Sequence, residues 1–214
     1  MLKPILFNTE MVKAIQDGRK TQTRRVCKGY GECNPVQCGY HPPYKPGDIL
    51  WVREKWKHVY NFDDGDQIIE GTGRYVYYAD NPMPFDYWVD PDTGEHKEQM
   101  PWKPSIHMPK DAARIFLRVK DVRAERLWDI SEADCLAEGI MGFTKDGKIT
   151  KFSTQSGDMP SVPWQDMPEN PVHAFWDLWN STIKSADRNR YGWLENPLVW
   201  VIEFERIEKP EDWV

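Results

Sequence analysis

The stretch Ile115-Phe116-Leu117-Arg118-Val119-Lys120-Asp121-Val122-Arg123-Ala124-Glu125-Arg126-Leu127 carries the clearest period in the chain. Ile115, Leu117 and Val119 fall on one face, with Arg118 and Lys120 on the other. Strict alternation of this kind predicts a half-buried strand. The pattern shifts at Val122, which predicts a bulge or bend there. Downstream, Ser131-Glu132-Ala133-Asp134 is a capping signature that opens a short helix. Gly139 can end that helix.

Working outward, Lys45-Pro46-Gly47-Asp48 is a turn signal. Residues 49–54 follow it as a buried strand ending in charge, and residues 75–79 form another. Residues 5–7 read as a short first strand. Asn8 or Thr9 can cap the next helix, whose apolar face is Met11, Val12 and Ile15 and whose stop is Gly18. The Thr-rich residues 20–26 suit a strand. Near the C-terminus Leu198, Trp200, Ile202 and Phe204 alternate with Val199, Val201, Glu203 and Glu205, again a half-buried strand. Asn170-Pro171 starts a helix by the cap-then-proline rule. Its stripe of Val172, Phe175, Trp176, Trp179 and Ile183 has core spacing. Residues 27–48 read as loop, 61–74 as an exposed connection, 80–104 as an insertion and 142–170 as a long loop. The connections are too short, and the patterns too alternating, for a doubly wound parallel sheet. The expected fold class is α+β: a small, mostly antiparallel barrel or curled sheet with short peripheral helices.

With 214 residues, 40% of them hydrophobic and 13% aromatic, the chain can bury a real core as one domain with insertions. Its 28 Lys and Arg stand against 34 Asp and Glu, a formal charge of −6. A protein that wraps long DNA carries the opposite balance. A short or small polar ligand fits better. No apolar run approaches the ~18 residues of a membrane span, and the N-terminus lacks a signal-peptide pattern. The expected location is the cytoplasm, where the four Cys would be reduced or metal-bound.

Gly18-Arg19-Lys20-Thr21-Gln22-Thr23-Arg24-Arg25 places four cations and two hydroxyls just after a helix stop. A fixed turn presenting Lys and Thr together can activate a nucleophile or grip an anion. In a regular strand, positions 20 and 23 would point to opposite faces. If both serve one site, Lys20 must sit in the turn or at a bulge. Cys27, Cys33, Cys38 and His41 have irregular spacing, yet three Cys and one His could close a structural Zn²⁺ site. Free thiols are the alternative, and Cys135 reads as packing. His107, in a Pro-rich turn, is a possible pocket residue.

These segments resemble the ASCH family, whose members have a PUA-like β-barrel. The resemblance rests on the helix leading into residues 18–24, on residues 45–52, on the strand 116–122 running into 127–139, and on the strand 199–204. It leaves insertions at about 27–44, 57–104 and 142–192. The Trp102-Lys103-Pro104-Ser105-Ile106-His107-Met108-Pro109 segment resembles larger phage or prophage members, which would act in a host cytoplasm. Small bacterial relatives are amidohydrolases of N4-acetylcytidine that work through a Lys, a Thr and a Glu. The resemblance implies Lys20 as base, Thr23 as nucleophile and Glu138 as proton carrier, with Arg19, Arg24, Arg25 and His107 around the substrate and no catalytic cofactor. Other relatives imply a module that binds RNA or a modified base without turnover, or a ribonuclease.

Overall fold

The structure is a computed structural model that describes residues 1–27, 41–61, 63, 67, 69, 71–81, 88–89, 93–97, 101–145, 147–155, 162–211 and 213. In chain order the strands are β1 (Leu2–Leu6), β2 (Gln22–Val26), β3 (Ile49–Arg53), β4 (Trp56–Val59), β5 (Arg74–Tyr77), β6 (Trp88–Val89), β7 (His96–Lys97), β8 (Phe116–Arg126), β9 (Met141–Thr144), β10 (Thr150–Ser153) and β11 (Leu198–Ile207). The α-helices are α1 (Thr9–Gln16), α2 (Glu132–Ala137), α3 (Pro171–Thr182) and α4 (Arg188–Tyr191).

One five-stranded sheet, ordered β1-β3-β8-β11-β2, organises the molecule. Every pairing in it is antiparallel except that of β1 with β3. The mixed α+β class with a mostly antiparallel sheet therefore holds, but the sheet is open. β1 and β2 are its two edges, and no ladder joins them among the described residues. A side chain crosses the seam instead: Arg25 Nη2 on β2 donates to the Leu6 carbonyl on β1 at 2.7 Å.

The break in the β8 pattern is real. Opposite β11 the register jumps between Glu203 and Phe204, whose partners are Asp121 and Val119, so Lys120 is the extra residue. β11 differs from its expected half-burial. Val199, Trp200, Val201 and Ile202 are all buried and all belong to the main core, so both faces of this part of the strand are covered. Residues 142–170 are not a plain loop either, since β9 and β10 pair as an antiparallel hairpin.

Three of the four α-helices among the described residues start as their sequences imply, and α4 has no side-chain cap. The Asn8 side chain accepts from Met11 N and starts α1. Ser131 and Asp134 form a reciprocal capping box on α2. Asn170 caps α3, with Pro171 at its first position. Phe175 and Trp179 of the predicted α3 stripe enter the main core beside Leu50, Leu117 and Leu127. Trp176 is half-exposed and stacks on Trp193 at 6.2 Å. A second, smaller cluster gathers Trp56, Met108, Ala112, Phe116 and Trp213.

Candidate active site

The site begins where α1 stops. Gly18 takes a φ of +75°, open to glycine at no steric cost. The N–H groups of Arg19 and Lys20 then both donate to the Ala14 carbonyl, at 2.9 and 3.0 Å. Lys20 consequently lies in the turn before β2, the placement that a shared site with Thr23 demands. The same turn is laced to the end of α2. Thr21 N donates to the Ala137 carbonyl at 2.9 Å, and Arg19 Nη1 to the Gly139 carbonyl at 2.8 Å. Gly139 has a φ of +101°, and a Cβ there would lie 2.9 Å from Ala14 Cβ and 3.4 Å from Lys20 Cβ. The absence of a side chain at 139 lets α1, the Lys20 turn and α2 meet.

Glu138, the C-cap of α2, is thereby set against Lys20. The Lys20 amine donates to Glu138 Oε2 at 2.6 Å and to the Glu138 carbonyl at 2.8 Å. Arg24 Nη1 donates to Glu138 Oε1 at 3.2 Å. Arg24 also bonds Glu125 at 2.5 Å and lies 3.4 Å from Asp134. The chain of charge continues from Glu125 and Asp134 through Arg123 to Glu203. Gln22 Nε2 donates to the backbone and side chain of Asp134, which holds β2 against α2.

Lys20, Arg24 and Glu138 are at most 3% exposed. Burial holds the Lys20 amine below the ordinary lysine value of 10.5, because the charged form loses its hydration. Glu138 pulls the other way through its charge and hydrogen bond, while Arg25 and Arg24 add to the lowering. Phe7 supplies part of the apolar surround, with its ring 5.8 Å from the Lys20 amine and 5.2 Å from the Arg25 guanidinium.

Thr23 is 1% exposed and pairs with Ile202 on β11. It lines one crevice together with Arg24, Arg25 and Glu138, so three of the expected residues converge: Lys20 and Glu138 by direct contact, Thr23 by a shared wall. Phe175, Leu178, Trp179 and Thr182 of α3 form the opposite wall. The crevice measures about 10 Å³, room for roughly one water. Arg24 Nε is buried there without an acceptor.

The other expected residues are placed differently. Arg19 pairs with Asp17 at 2.9 Å in addition to the Gly139 carbonyl, and Arg25 spans to Leu6. The cationic stretch is thus largely neutralised by its own fold. His107 is exposed on a 3₁₀ turn, Ser105–His107, and does not line the crevice. Cys33 and Cys38 lie outside the described residues. Cys27 is buried in the main core, where desolvation pushes its thiol up to about 12, and His41 is exposed. Cys135 is fully buried as packing. Three contributors were not readable as site residues from the sequence, where Asp134 shows only as part of the α2 cap. Glu125 and Asp134 anchor Arg24 from more than a hundred residues away, and Leu178 covers the crevice.

No protein-family model and no curated protein matches this sequence. A solved structure of an ASCH domain from Lactobacillus crispatus JV V101 aligns with 97% of this chain and 80% of its own, at 12% identity and a TM-score of 0.40. At that distance nothing about site or activity transfers. No described helix is long and apolar enough to cross a membrane.

Proposed function

We propose that this protein is an amidohydrolase that removes the acyl group from the exocyclic amine of a modified nucleoside such as N4-acetylcytidine. The observation that carries the reading is the 2.6 Å contact between the Lys20 amine and Glu138, beside a crevice whose wall includes Thr23. The resemblance of the Gly18–Thr23 stretch to the amidohydrolase motif agrees with it.

In this reaction Lys20, in its neutral form, takes the proton as Thr23 Oγ1 bonds to the acyl carbon. The carbonyl π electrons move onto oxygen, and the Arg24 N–H groups stand near that developing charge. When the intermediate collapses, the C–N bond breaks and the amine leaves with the proton relayed through Lys20 and Glu138. Water then attacks the Thr23 ester and gives its proton to the same pair. The acid departs and Thr23 regains its hydrogen. Because α3 leaves room for about one water, the substrate enters only as the α3 wall draws back. The intramolecular partners of Arg19, Arg24 and Arg25 weigh against a long-RNA binder, as does the charge of −6.

The test is incubation with N4-acetylcytidine followed by chromatography of cytidine and acetate. Turnover that disappears in Thr23→Val and Lys20→Ala supports the reading. Turnover that survives both changes, or a folded wild type that releases no acetate, defeats it.

A further inference from the structure

A larger cleft adjoins the Thr23 crevice along a neighbouring face of α3. It has a volume of about 310 Å³ and runs between the start of α1, β10 and α3. That is within the roughly 300–1,000 Å³ of small-molecule sites, whereas the crevice beside Thr23 is not.

The two spaces are connected by shared walls. Glu10, Thr154 and Leu178 line the cleft and also a small intermediate gap, which reaches Glu138 and Gly139. Met11, Glu138 and Leu178 continue from that gap to the crevice beside Thr23. Leu178 is common to all three. A ligand seated in the cleft is therefore one side chain away from the Lys20–Glu138 pair.

The lining sets the ligand's chemistry. Ser153, Thr154 and Ser181 supply hydroxyls suited to a sugar, and Phe152 supplies an aromatic surface for a base. Asp166 and Asp177 supply negative charge, while no Lys or Arg lines the cleft among the described residues. Glu10 adds less, because Lys13 sits 3.4 Å from it. Lys151 is turned to the Gln165 carbonyl. A phosphate in this cleft would meet carboxylates and no facing cation.

We propose that this cleft holds the substrate of the Lys20–Glu138 centre, that Leu178 is the sieve through which the acyl group reaches Thr23, and that Asp166 and Asp177 restrict the substrate to nucleosides without phosphate. The proposal rests on the hydrolase reading for its chemistry, but its location is tested separately.

The test uses calorimetric binding of N4-acetylcytidine and of its 5′-monophosphate to the full chain carrying Thr23→Val, so that no turnover intervenes. The nucleoside is expected to bind at least about tenfold tighter than the monophosphate, the like-charge penalty being lost in part when Asp166→Asn and Asp177→Asn are added. Ser181→Trp, a change at an exposed helix position, fills the cleft and should abolish nucleoside binding with thermal stability kept. Equal affinity for the two probes, binding of neither, or indifference to Ser181→Trp overturns the proposal. Deacetylation by the wild type that ignores Ser181→Trp removes the cleft and leaves the hydrolase. Nucleoside binding blocked by Ser181→Trp, without any deacetylation, removes the hydrolase and leaves the cleft.

Discussion

Two arginine–carboxylate groups in this molecule, each built on a buried glutamate, solve the same electrostatic problem with different completeness. In the first, Arg114 sets Nε and Nη2 against the two oxygens of Glu54, both at 2.9 Å, and turns Nη1 to Asp80 at 2.5 Å. Its guanidinium lies 3.8 Å from the Tyr77 ring. Every donor direction described is used, and the fork is bidentate, the strongest geometry for such a pair. In the second, Glu138 is divided between the Lys20 amine and one Arg24 nitrogen, and Arg24 Nε has no acceptor. The clamp at Glu54 is saturated and serves structure. The group at Glu138 keeps spare hydrogen-bonding capacity at Arg24 Nε, beside a crevice that Thr23 also lines, which suits proton transfer.

That contrast breaks most visibly at Thr23. Thr23→Val keeps shape and removes only the hydroxyl, so deacetylation should fall by about 10⁴-fold or more, the scale of losing a nucleophile. Urea unfolding of the same variant should stay within about 1 kcal/mol of wild type. Arg114→Met should do the reverse. It leaves the Glu54 carboxylate buried and unpaired, a loss of roughly 3–5 kcal/mol in denaturant titrations. The Glu54→Met, Arg114→Met double variant should recover much of that, and turnover per folded molecule should be unchanged in both.

Gly139→Ala sharpens the comparison at intermediate size. The new methyl meets Ala14 at 2.9 Å on a backbone at φ +101°, so a cost of roughly 1–3 kcal/mol is expected. The displacement falls on the Lys20 turn, so kcat should drop as well. The smallest effect is a pH slope. A lysine held below 10.5 in the folded chain binds its proton less readily than the unfolded chain does. Stability should therefore rise with pH between the lowered value and 10.5, with the contribution of Lys20 fully present above 10.5 and lost as pH falls through the lowered value. Lys20→Met should flatten that rise in unfolding titrations.

Much of this arrangement was legible locally. Period two, the glycine stops and the capping residues are short-range signals, and they placed β8, α1 and α2 correctly; Lys20, read locally as the start of a strand, lies in the turn before β2. The buried faces of β11 were partly legible too, since Val199 and Val201 are themselves apolar. The β9–β10 hairpin was missed because its strands are only four residues each, too short for a period to show. The parallel pairing of β1 with β3 leaves no trace in either strand's pattern. Glu138 came from resemblance alone, and the partnership of Glu125 and Asp134 with Arg24 has no local mark, because it depends on how β8 and α2 fold back onto β2.

The guanidinium that bridges Leu6 to β2 has a mechanical meaning. A cylinder closed by ladders must unzip peptide pairs to change girth, whereas among the described residues the two edge strands here share no ladder and are spanned by the Arg25 hydrogen bond. Releasing Arg25 would let the two margins part with all ladders intact, and Thr23 rides on the margin that would move.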